Sequence, residues 1–453
     1  MLRRRMNGVA MLTLAAGFLF CARYGYSDEI PGKDNERGAV SVSKAEDVEN
    51  PDKISEEKKG GQDDATKTSD SGYTEGPAWQ VLGQSGRKLT EPDGRKDIIG
   101  LNRNVYFNCD TSEAYNDNIF LASRGTKRRC DFITTISPRM SFAYLKDDNF
   151  FYASYGAQQL LYAINGNNKV NRVNQDVEVV LDLFKSSAVK TTIRNTAQRT
   201  TTAASAETNN FVKRVCNEFN YRLKFDFSPK SAIALEYDNN LQNYLGSQFE
   251  QNSYVDNTLS PIFYWYMSPK TILSAQYDFA TTSAYNYSDS NSMSDQIRFG
   301  IEEKITPKLL LKLKGGYQCR IFTHSDQKNS SLPVGSGSID YQYSENISFH
   351  TVALYGTEHS IATSSGYMKI FNLGSYFQWH LFGNTNASLG GFYIWNCYPS
   401  YAVRTYSIFS RIEYKIRQWL SAYIEYDYRT ASATINQPQA TNNIATWGFK
   451  ADF

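Results

Sequence analysis

Residues 218–230 contain a strict alternation of apolar and polar side chains that ends in a turn. They read Glu218-Phe219-Asn220-Tyr221-Arg222-Leu223-Lys224-Phe225-Asp226-Phe227-Ser228-Pro229-Lys230. In an extended chain the aromatic and aliphatic residues share one face, and the charged and amide residues share the other. The final Ser-Pro-Lys is typical of a tight turn, because proline has its φ angle preset and needs no backbone donor. The stretch therefore predicts a β-strand with one apolar and one polar face, followed by a hairpin turn.

The same turn signal recurs at nearly constant intervals along the chain. Ser268-Pro269-Lys270 and Thr306-Pro307-Lys308 follow after about 40 and 38 residues. Turns without proline are predicted near Lys146-Asp147, Lys185-Ser186, Ser344-Glu345-Asn346, Gly383-Asn384 and Arg417-Gln418. Longer connections rich in Asn, Ser, Thr and Gly lie between them, at 110–130, 164–169, 197–210, 240–252, 284–292, 323–337, 356–365, 396–401 and 430–440. Eight short and nine long connections join eighteen strands.

The separation of short turns from long loops favours a membrane barrel over a soluble β-sandwich. All short connections fall on one side of the predicted sheet, as they do in outer-membrane barrels. Residues 100–453 supply about 20 residues for each strand and its connection, and a tilted strand needs about 9 to 11 to cross a bilayer. We therefore predict an all-β fold, an up-and-down antiparallel transmembrane barrel of about 18 strands, with 16 as the alternative.

Composition excludes two other classes of protein. With 41% hydrophobic residues, 21% charged residues and a mean hydropathy of −0.51, no run beyond the N-terminal apolar stretch approaches the roughly 18 residues of a membrane helix. A helical membrane protein is excluded. The 14% of aromatic residues exceeds what a wholly disordered chain contains.

The N-terminal region differs from the predicted barrel. Arg3, Arg4 and Arg5 precede an apolar stretch at 9–20, a pattern typical of a secretory signal peptide, which we place at 1–27. Residues 28–99 form an acidic, largely disordered periplasmic segment by prediction, and 100–453 form the barrel. Removing the four arginines of 1–27 changes the formal charge from +2 to −2. No nucleic-acid partner is therefore predicted.

The last strand carries a further signal. Trp447, Phe449, Ala451 and Phe453 fall on one face, and this pattern resembles the C-terminal strand of bacterial outer-membrane proteins that the barrel-assembly machinery reads. We therefore predict that the chain is located in the outer membrane, in contact with its lipid and with that machinery as an assembly partner.

Two segments resemble the first hairpin of a known family. They read Glu113-Ala114-Tyr115-Asn116-Asp117-Asn118-Ile119-Phe120 and Asp131-Phe132-Ile133-Thr134-Thr135-Ile136-Ser137-Pro138-Arg139-Met140-Ser141-Phe142. Both are similar to the opening of the β-barrel porin 2 family, as are the later Ser/Thr-Pro-Lys turns, and the resemblance covers about 100–453. It implies an outer-membrane, porin-like barrel without catalytic residues, and an association of some relatives with exopolysaccharide export.

The polar strand faces are predicted to line the lumen, because a charge facing lipid near the membrane centre costs about 2 to 4 kcal/mol for Arg or Lys. The predicted lumen-lining charges are Glu218, Arg222, Lys224, Asp226, Glu236, Asp238, Asp278, Arg298, Glu302, Lys304, Lys312, Lys314, Arg320, Arg411, Glu413, Lys415, Glu425, Asp427 and Arg429. A wide barrel with polar walls predicts passive diffusion of small hydrophilic solutes. The alternatives are a component of polysaccharide export or binding, and a non-conducting barrel plugged by a loop or by 76–99.

No enzyme, cofactor or metal site is predicted. His359 beside Ser360 lies in a predicted loop without a general-base arrangement, and His350 with His380 lacks a third metal ligand. Cys109 and Cys130 are predicted at the end of the first strand and the start of the second, facing outward. Either they form a disulfide at the base of the first long loop, or both are free thiols.

Overall fold

The computed structural model describes most of the C-terminal region of the chain. The described residues are 104–119, 128–146, 148–164, 172–202, 212–245, 252–285, 291–323, 329–359, 367–398, 401–433 and 440–453. The predicted signal peptide at 1–27 and acidic segment at 28–99 lie outside them. The described residues contain no helix that is both long and apolar enough to cross a membrane.

Eighteen antiparallel strands form a single closed sheet. They are β1 Val105–Asn116, β2 Asp131–Lys146, β3 Asn149–Tyr162, β4 Arg172–Leu183, β5 Val189–Thr202, β6 Val212–Ser228, β7 Ser231–Leu245, β8 Tyr254–Tyr266, β9 Thr271–Ala284, β10 Ser292–Thr306, β11 Leu309–Phe322, β12 Ser330–Ser344, β13 Ile347–His359, β14 Tyr367–Phe382, β15 Thr385–Cys397, β16 Ala402–Arg417, β17 Leu420–Ala433 and β18 Ala440–Asp452. Each strand pairs with its neighbours in sequence, and β1 also pairs with β18. The predicted up-and-down barrel and its strand number are confirmed.

The strands are longer than the sequence pattern indicated. The first long connection was expected at 110–130, but β1 continues to Asn116, and β12 begins at Ser330 inside the connection expected at 323–337. Asp110, Ser112 and Asn116 are buried in β1 because they belong to its lumen face. These polar residues resemble a loop in sequence, but in the structure they form the lumen-facing side of a strand.

Four of the short turns share one local structure. The side-chain hydroxyl of the first turn residue accepts a hydrogen bond from the backbone N–H two positions later. The donor–acceptor distances are 3.1 Å for Ser228 and Lys230, 3.1 Å for Ser268 and Lys270, 3.2 Å for Thr306 and Lys308, and 3.3 Å for Ser344 and Asn346. This side-chain to backbone bond adds to the backbone bonds that close the hairpin, such as those between Ser268 and Thr271 at 3.3 Å. The Ser/Thr-Pro-Lys sequence therefore contributes to the hairpin locally.

One face of the sheet carries exposed apolar side chains. On β6 the exposed residues include Phe225 and Phe227, on β8 Phe263 and Trp265, and on β10 Phe299, which is 65% exposed. Cross-strand partners point to the same face, so these residues form a continuous apolar outer surface. A closed barrel with an apolar exterior is the architecture of outer-membrane proteins.

The seam between β1 and β18 is held at its upper end, the end with the long loops. Asp117 accepts hydrogen bonds from the backbone and side-chain nitrogens of Asn443 at 2.7 and 2.6 Å. The Asn118 side chain donates to the carbonyl of Thr441 at 2.8 Å, and its backbone N–H donates to the Asn116 side chain at 2.9 Å. The Asn-Asp-Asn motif therefore fastens the first strand to the last.

The lower end of the seam, on the short-turn side, is held by aromatic rings. Phe107 and Phe453 exchange two backbone hydrogen bonds, of 3.1 and 2.7 Å. The Phe453 ring stacks on Phe107 and on Trp419, with centroid distances of 6.2 and 5.6 Å. Trp447 and Phe449, the other members of the predicted assembly signal, lie exposed on the outer face of β18.

Candidate functional site in the barrel lumen

The charged residues that the sequence analysis predicted to line the lumen lie on one face of the sheet. Strand registers place all nineteen of these residues on the sheet face opposite the exposed apolar side chains. They come from seven strands: β6, β7, β9, β10, β11, β16 and β17. These nineteen residues therefore occupy two sectors of the wall, β6–β11 and β16–β17, while other inner charges such as Arg139 and Asp176 lie outside them.

Many of these charges form ion pairs, either with a neighbouring strand or within one strand. Arg222 and Glu236 are 3.2 Å apart, and Arg298 lies 2.8 Å from Asp278. Asp278 also accepts a hydrogen bond from Ser260 at 2.6 Å. Such pairs compensate each other in a partly desolvated wall, because a buried carboxylate or guanidinium is costly unless paired and hydrogen-bonded.

A second charged cluster lies on β16 and β17. Arg411 donates to Glu413 at 2.9 Å and to Glu425 at 3.5 Å. Its guanidinium also lies 3.9 Å from the ring centre of Tyr423. Contact with the ring face and two carboxylates fixes the Arg411 head group in one orientation.

Glycines on the inner face allow side chains to cross a strand. Arg139 on β2 and Asp176 on β4 form an ion pair of 2.9 Å above Gly156 of β3. A Cβ atom at Gly156 would lie 2.5 Å from the Asp176 carboxylate. Similarly, the Tyr423 hydroxyl donates to Asp110 of β1, with distances of 2.9 and 3.2 Å to the carboxylate oxygens, across Gly448 of β18. These contacts connect strands that are not neighbours.

One sector of the wall is uncharged. The described lumen positions of β14 and β15 contain no Asp, Glu, Lys or Arg. Ile370 and Phe392 are buried there, and Phe409 of β16 stacks on Tyr376 at a centroid distance of 6.2 Å. The sequence analysis missed this sector because it followed charges only.

The upper ends of β13 and β14 lean across the lumen. The β12–β13 ladder stops at the pair of Gly335 and Tyr355. Beyond that point Thr357 donates a hydrogen bond of 2.8 Å to Gln318 of β11, and the His359 ring stacks on Tyr254 of β8 at 4.1 Å. Four strands separate β8 from β13 along the wall. The contact therefore narrows the lumen at the long-loop end.

The other two histidines of the described residues have hydrogen-bond partners on the adjacent strand. His350 is hydrogen-bonded to Asp340, and His380 lies 2.5 Å from the side-chain oxygen of Asn386. No group of three or more His, Cys, Asp or Glu side chains within the described ranges is arranged to hold a metal ion. Ser360, the neighbour of His359, lies outside those ranges.

The structure does not support a disulfide between Cys109 and Cys130; both are free cysteines. Cys109 pairs with Pro138 in the body of β1, while Cys130 precedes β2 at its upper end. The eight residues from Cys130 to Pro138 span about 27 Å at the rise of a strand, whereas a disulfide needs Cα atoms within about 7 Å. Of the two alternatives, the structure favours the free thiols. The placement of Cys109 at the end of the first strand was wrong, because β1 continues to Asn116.

Two outward-facing carboxylates accept hydrogen bonds from hydroxyl groups, and the sequence analysis missed both. Glu113 of β1 accepts a hydrogen bond from Thr134 at 2.5 Å, and Asp295 of β10 accepts one from the Tyr277 hydroxyl. In each case the donor belongs to the adjacent strand on the same face. A neighbouring hydroxyl reduces the cost of placing a carboxylate on the outer surface.

Comparisons with known proteins give similarity in structure but not in sequence. No family model matches the chain, and no curated protein matches it. The crystal structure of OpdK from Pseudomonas aeruginosa with vanillate aligns with a TM-score of 0.45 and 6% identity, covering 77% of this chain and 99% of that chain. OccAB3 from Acinetobacter baumannii aligns with a TM-score of 0.42 and 7% identity, covering 77% and 99% of the respective chains.

The structure of an iron transporter is also similar. The FrpB iron transporter from Neisseria meningitidis, F5-1 variant, aligns with a TM-score of 0.41 and 8% identity. The alignment covers 79% of this chain and 83% of that chain. At these levels of identity the similarity concerns the fold alone.

Proposed function

We propose that this protein is a porin-like outer-membrane channel for passive diffusion of small hydrophilic solutes. The observation that carries the proposal is a closed ring of 18 strands, apolar outside and polar inside. Strands about 4.8 Å apart and tilted by roughly 40° give a barrel about 35 Å across between backbones. Side chains cannot fill that width, and barrels of 16 to 18 strands leave an aqueous channel.

The arrangement of charge supports a channel with weak ion selectivity. Strongly selective pores carry rings of one sign. Here cations and anions alternate across strands, as in the pairs of Arg298 with Asp278 and Lys312 with Glu302, whose closest atoms are 2.8 and 3.6 Å apart. Each pair leaves little net field in the water above it, so solutes of either sign meet similar barriers.

The leaning ends of β13 and β14 support an upper limit on solute size. His359 reaches Tyr254 on the far side of four strands. A solute that passes this level uses only the part of the lumen that this bridge leaves free. The proposed cargo is therefore small as well as hydrophilic.

The finer parts of the proposal concern relatives and partners. The resemblance at the first hairpin supports membership of the β-barrel porin 2 family, and the Asn116-Asp117-Asn118 motif there fastens the seam between β1 and β18. Outer-membrane lipid and the barrel-assembly machinery are the proposed partners. The proposal includes no catalytic step.

Single-channel recording in a planar bilayer tests the proposal. The purified full-length protein should give stepwise openings with nearly equal permeability to small cations and anions. Swelling of protein-loaded liposomes in neutral sugars of increasing size should show a cut-off. A heat-dependent shift in gel migration establishes that the same sample is folded. A folded barrel that stays electrically silent and admits no sugar refutes the channel.

A further inference from the structure

The short-turn end of the barrel carries a row of three lysines. Lys230, Lys270 and Lys308 each occupy the third position of a Ser/Thr-Pro-Lys turn, and all three are exposed. Their turns join β6 to β7, β8 to β9, and β10 to β11, so they follow one another along the rim. All three turns contain the same hydroxyl to N–H hydrogen bond. We call these residues the lysine row.

The spacing of the lysine row is fixed by backbone hydrogen bonds. The carbonyl of Lys230 accepts from Tyr266 on β8, and the carbonyl of Lys270 accepts from Lys304 on β10, both at 2.8 Å. Successive lysines are therefore two strand spacings apart, or about 10 Å. The row ends at the next turn, which has the same hydrogen bond but carries Glu345 and Asn346 instead of proline and lysine.

The charge of the lysine row is not neutralised by acidic side chains of the described barrel. The turns themselves contain no Asp or Glu. Lys308 donates to the carbonyl of Tyr343 at 2.9 Å, a neutral partner. None of the ion pairs within the described ranges involves Lys230, Lys270 or Lys308. The rim thus presents three positive charges to a ligand with evenly spaced negative charge.

A segment of the same chain has the matching charge and spacing. Residues 46–52 contain four carboxylates and no basic residue. Glu46, Glu49 and Asp52 are three residues apart, which is about 10 Å in an extended chain. Their spacing matches that of the lysine row.

The point at which the chain joins the barrel brings this segment within reach. β1 starts at the short-turn end, where the carbonyl of Asn104 accepts a hydrogen bond of 2.8 Å from Ala143. A chain of random-coil dimensions with the 52 positions from Asp52 to Asn104 would span roughly 40 Å. This is comparable to the width of the barrel, and tethering raises the effective concentration of the segment at the rim.

We propose that residues 46–52 dock along the lysine row by ion pairing. The acidic N-terminal segment is then an intramolecular ligand of the barrel rim. Docking is electrostatic, so it weakens as the Debye length falls from about 10 Å at 0.1 M salt to about 3 Å at 1 M. Docking of residues 46–52 can be measured without measuring conduction. A negative docking result therefore does not refute the proposed channel, and a silent channel does not refute docking.

Carbodiimide crosslinking tests the docking, because this reagent joins an amine to a carboxyl group without a spacer. The folded full-length protein in a zwitterionic detergent is treated at low salt and digested for mass spectrometry. Crosslinks are expected between peptide 46–52 and the lysine row, with a loss of at least ten-fold in 1 M salt. The triple variant K230Q/K270Q/K308Q should lose them. Lys146→Gln and Lys185→Gln, at other short turns, should not.

A gain-of-function variant makes the test independent of losses in folding. Asn346→Lys extends the row by one position in a turn that has the same hydroxyl to N–H hydrogen bond, and a new crosslink to the acidic segment should appear there. Equal crosslinking to Lys146, Lys185 and the lysine row overturns the proposal, as does persistence in 1 M salt. Displacement of the segment by phosphatidylglycerol at a low molar ratio would instead assign the row to anionic lipid and would also overturn it.

Discussion

The crossing of β18 by Tyr423 predicts that Gly448 cannot be enlarged without loss of stability. A Cβ atom at Gly448 would lie 2.9 Å from the Tyr423 ring and 2.7 Å from Ser112, whereas carbon atoms prefer about 3.5 to 4.0 Å. In Gly448→Ala the ring must move away, and the hydrogen bond from its hydroxyl to Asp110 is lost. Overpacking costs about 1 to 3 kcal/mol, and a hydrogen bond to a charged group contributes about 1.5 to 3 kcal/mol.

We therefore expect Gly448→Ala to lower the free energy of unfolding by about 3 kcal/mol or more. Tyr423→Phe alone should lower it by about 1.5 to 3 kcal/mol. If the alanine acts by displacing the hydroxyl, the two effects share that hydrogen bond. The double variant should then be more stable than the sum of the single effects predicts, by roughly 1.5 kcal/mol.

Urea unfolding of the protein in lipid vesicles, followed by tryptophan fluorescence, measures these differences. Gly315→Ala is the matched control, because no heavy atom lies within 4 Å of a Cβ built there. Replacing a strand glycine in open space should stabilise by about 0.5 to 1 kcal/mol. The reasoning is refuted if Gly448→Ala behaves like Gly315→Ala, or if the two effects at positions 448 and 423 simply add.

Three further predictions concern the lumen and the cysteines. Arg298→Gln should shift the permeability ratio towards cations, and Asp278→Asn should shift it towards anions. Each shift should be up to roughly five-fold, because the interaction of two unit charges 4 Å apart in water is about 1 kcal/mol. Reversal potentials in a salt gradient measure both shifts, and shifts of the same sign would contradict the prediction. His359→Ala should raise single-channel conductance, because the bridge across the lumen loses its ring contact; an unchanged or lower conductance would show that the bridge does not limit flow. Cys109 and Cys130 should both be alkylated after unfolding without reductant, and mass spectrometry would detect a protected pair if they were bridged.

The fold could be predicted because each strand carries its own local signal. In β6 the alternation from Glu218 to Phe227 specifies the strand and both its faces, and Ser228-Pro229-Lys230 specifies where it turns. Residues 110–116 were wrongly predicted to be a loop. Asp110 and Asn116 lie on the polar lumen face of β1, and the residues between them on the outer face are also partly polar, so the sequence lacks a clear alternation. The misplaced end of β1 then produced the wrong expectation for Cys109.

Other features of the site depend on contacts between distant residues and leave no local signal. The stacking of His359 on Tyr254 requires β13 to leave its ladder with β12, and nothing in the sequence of β13 indicates that departure. The crossing contacts left a weak signal. A glycine on the polar face of an alternating strand, such as Gly156 or Gly448, is typical of a close approach by another group.

The crossing above Gly156 also bears on how neighbouring strands find their correct offset. Alternation distinguishes only odd shifts from even ones, because a slip of two residues returns every side chain to its own face. A two-residue slip of β3 would place Ser154 or Gln158 beneath Arg139 and Asp176, where only a glycine leaves room. The ion pair above Gly156 thus disfavours two-residue slips, which the apolar pattern alone allows. It therefore specifies the exact register of β2, β3 and β4, and not only which face each side chain occupies.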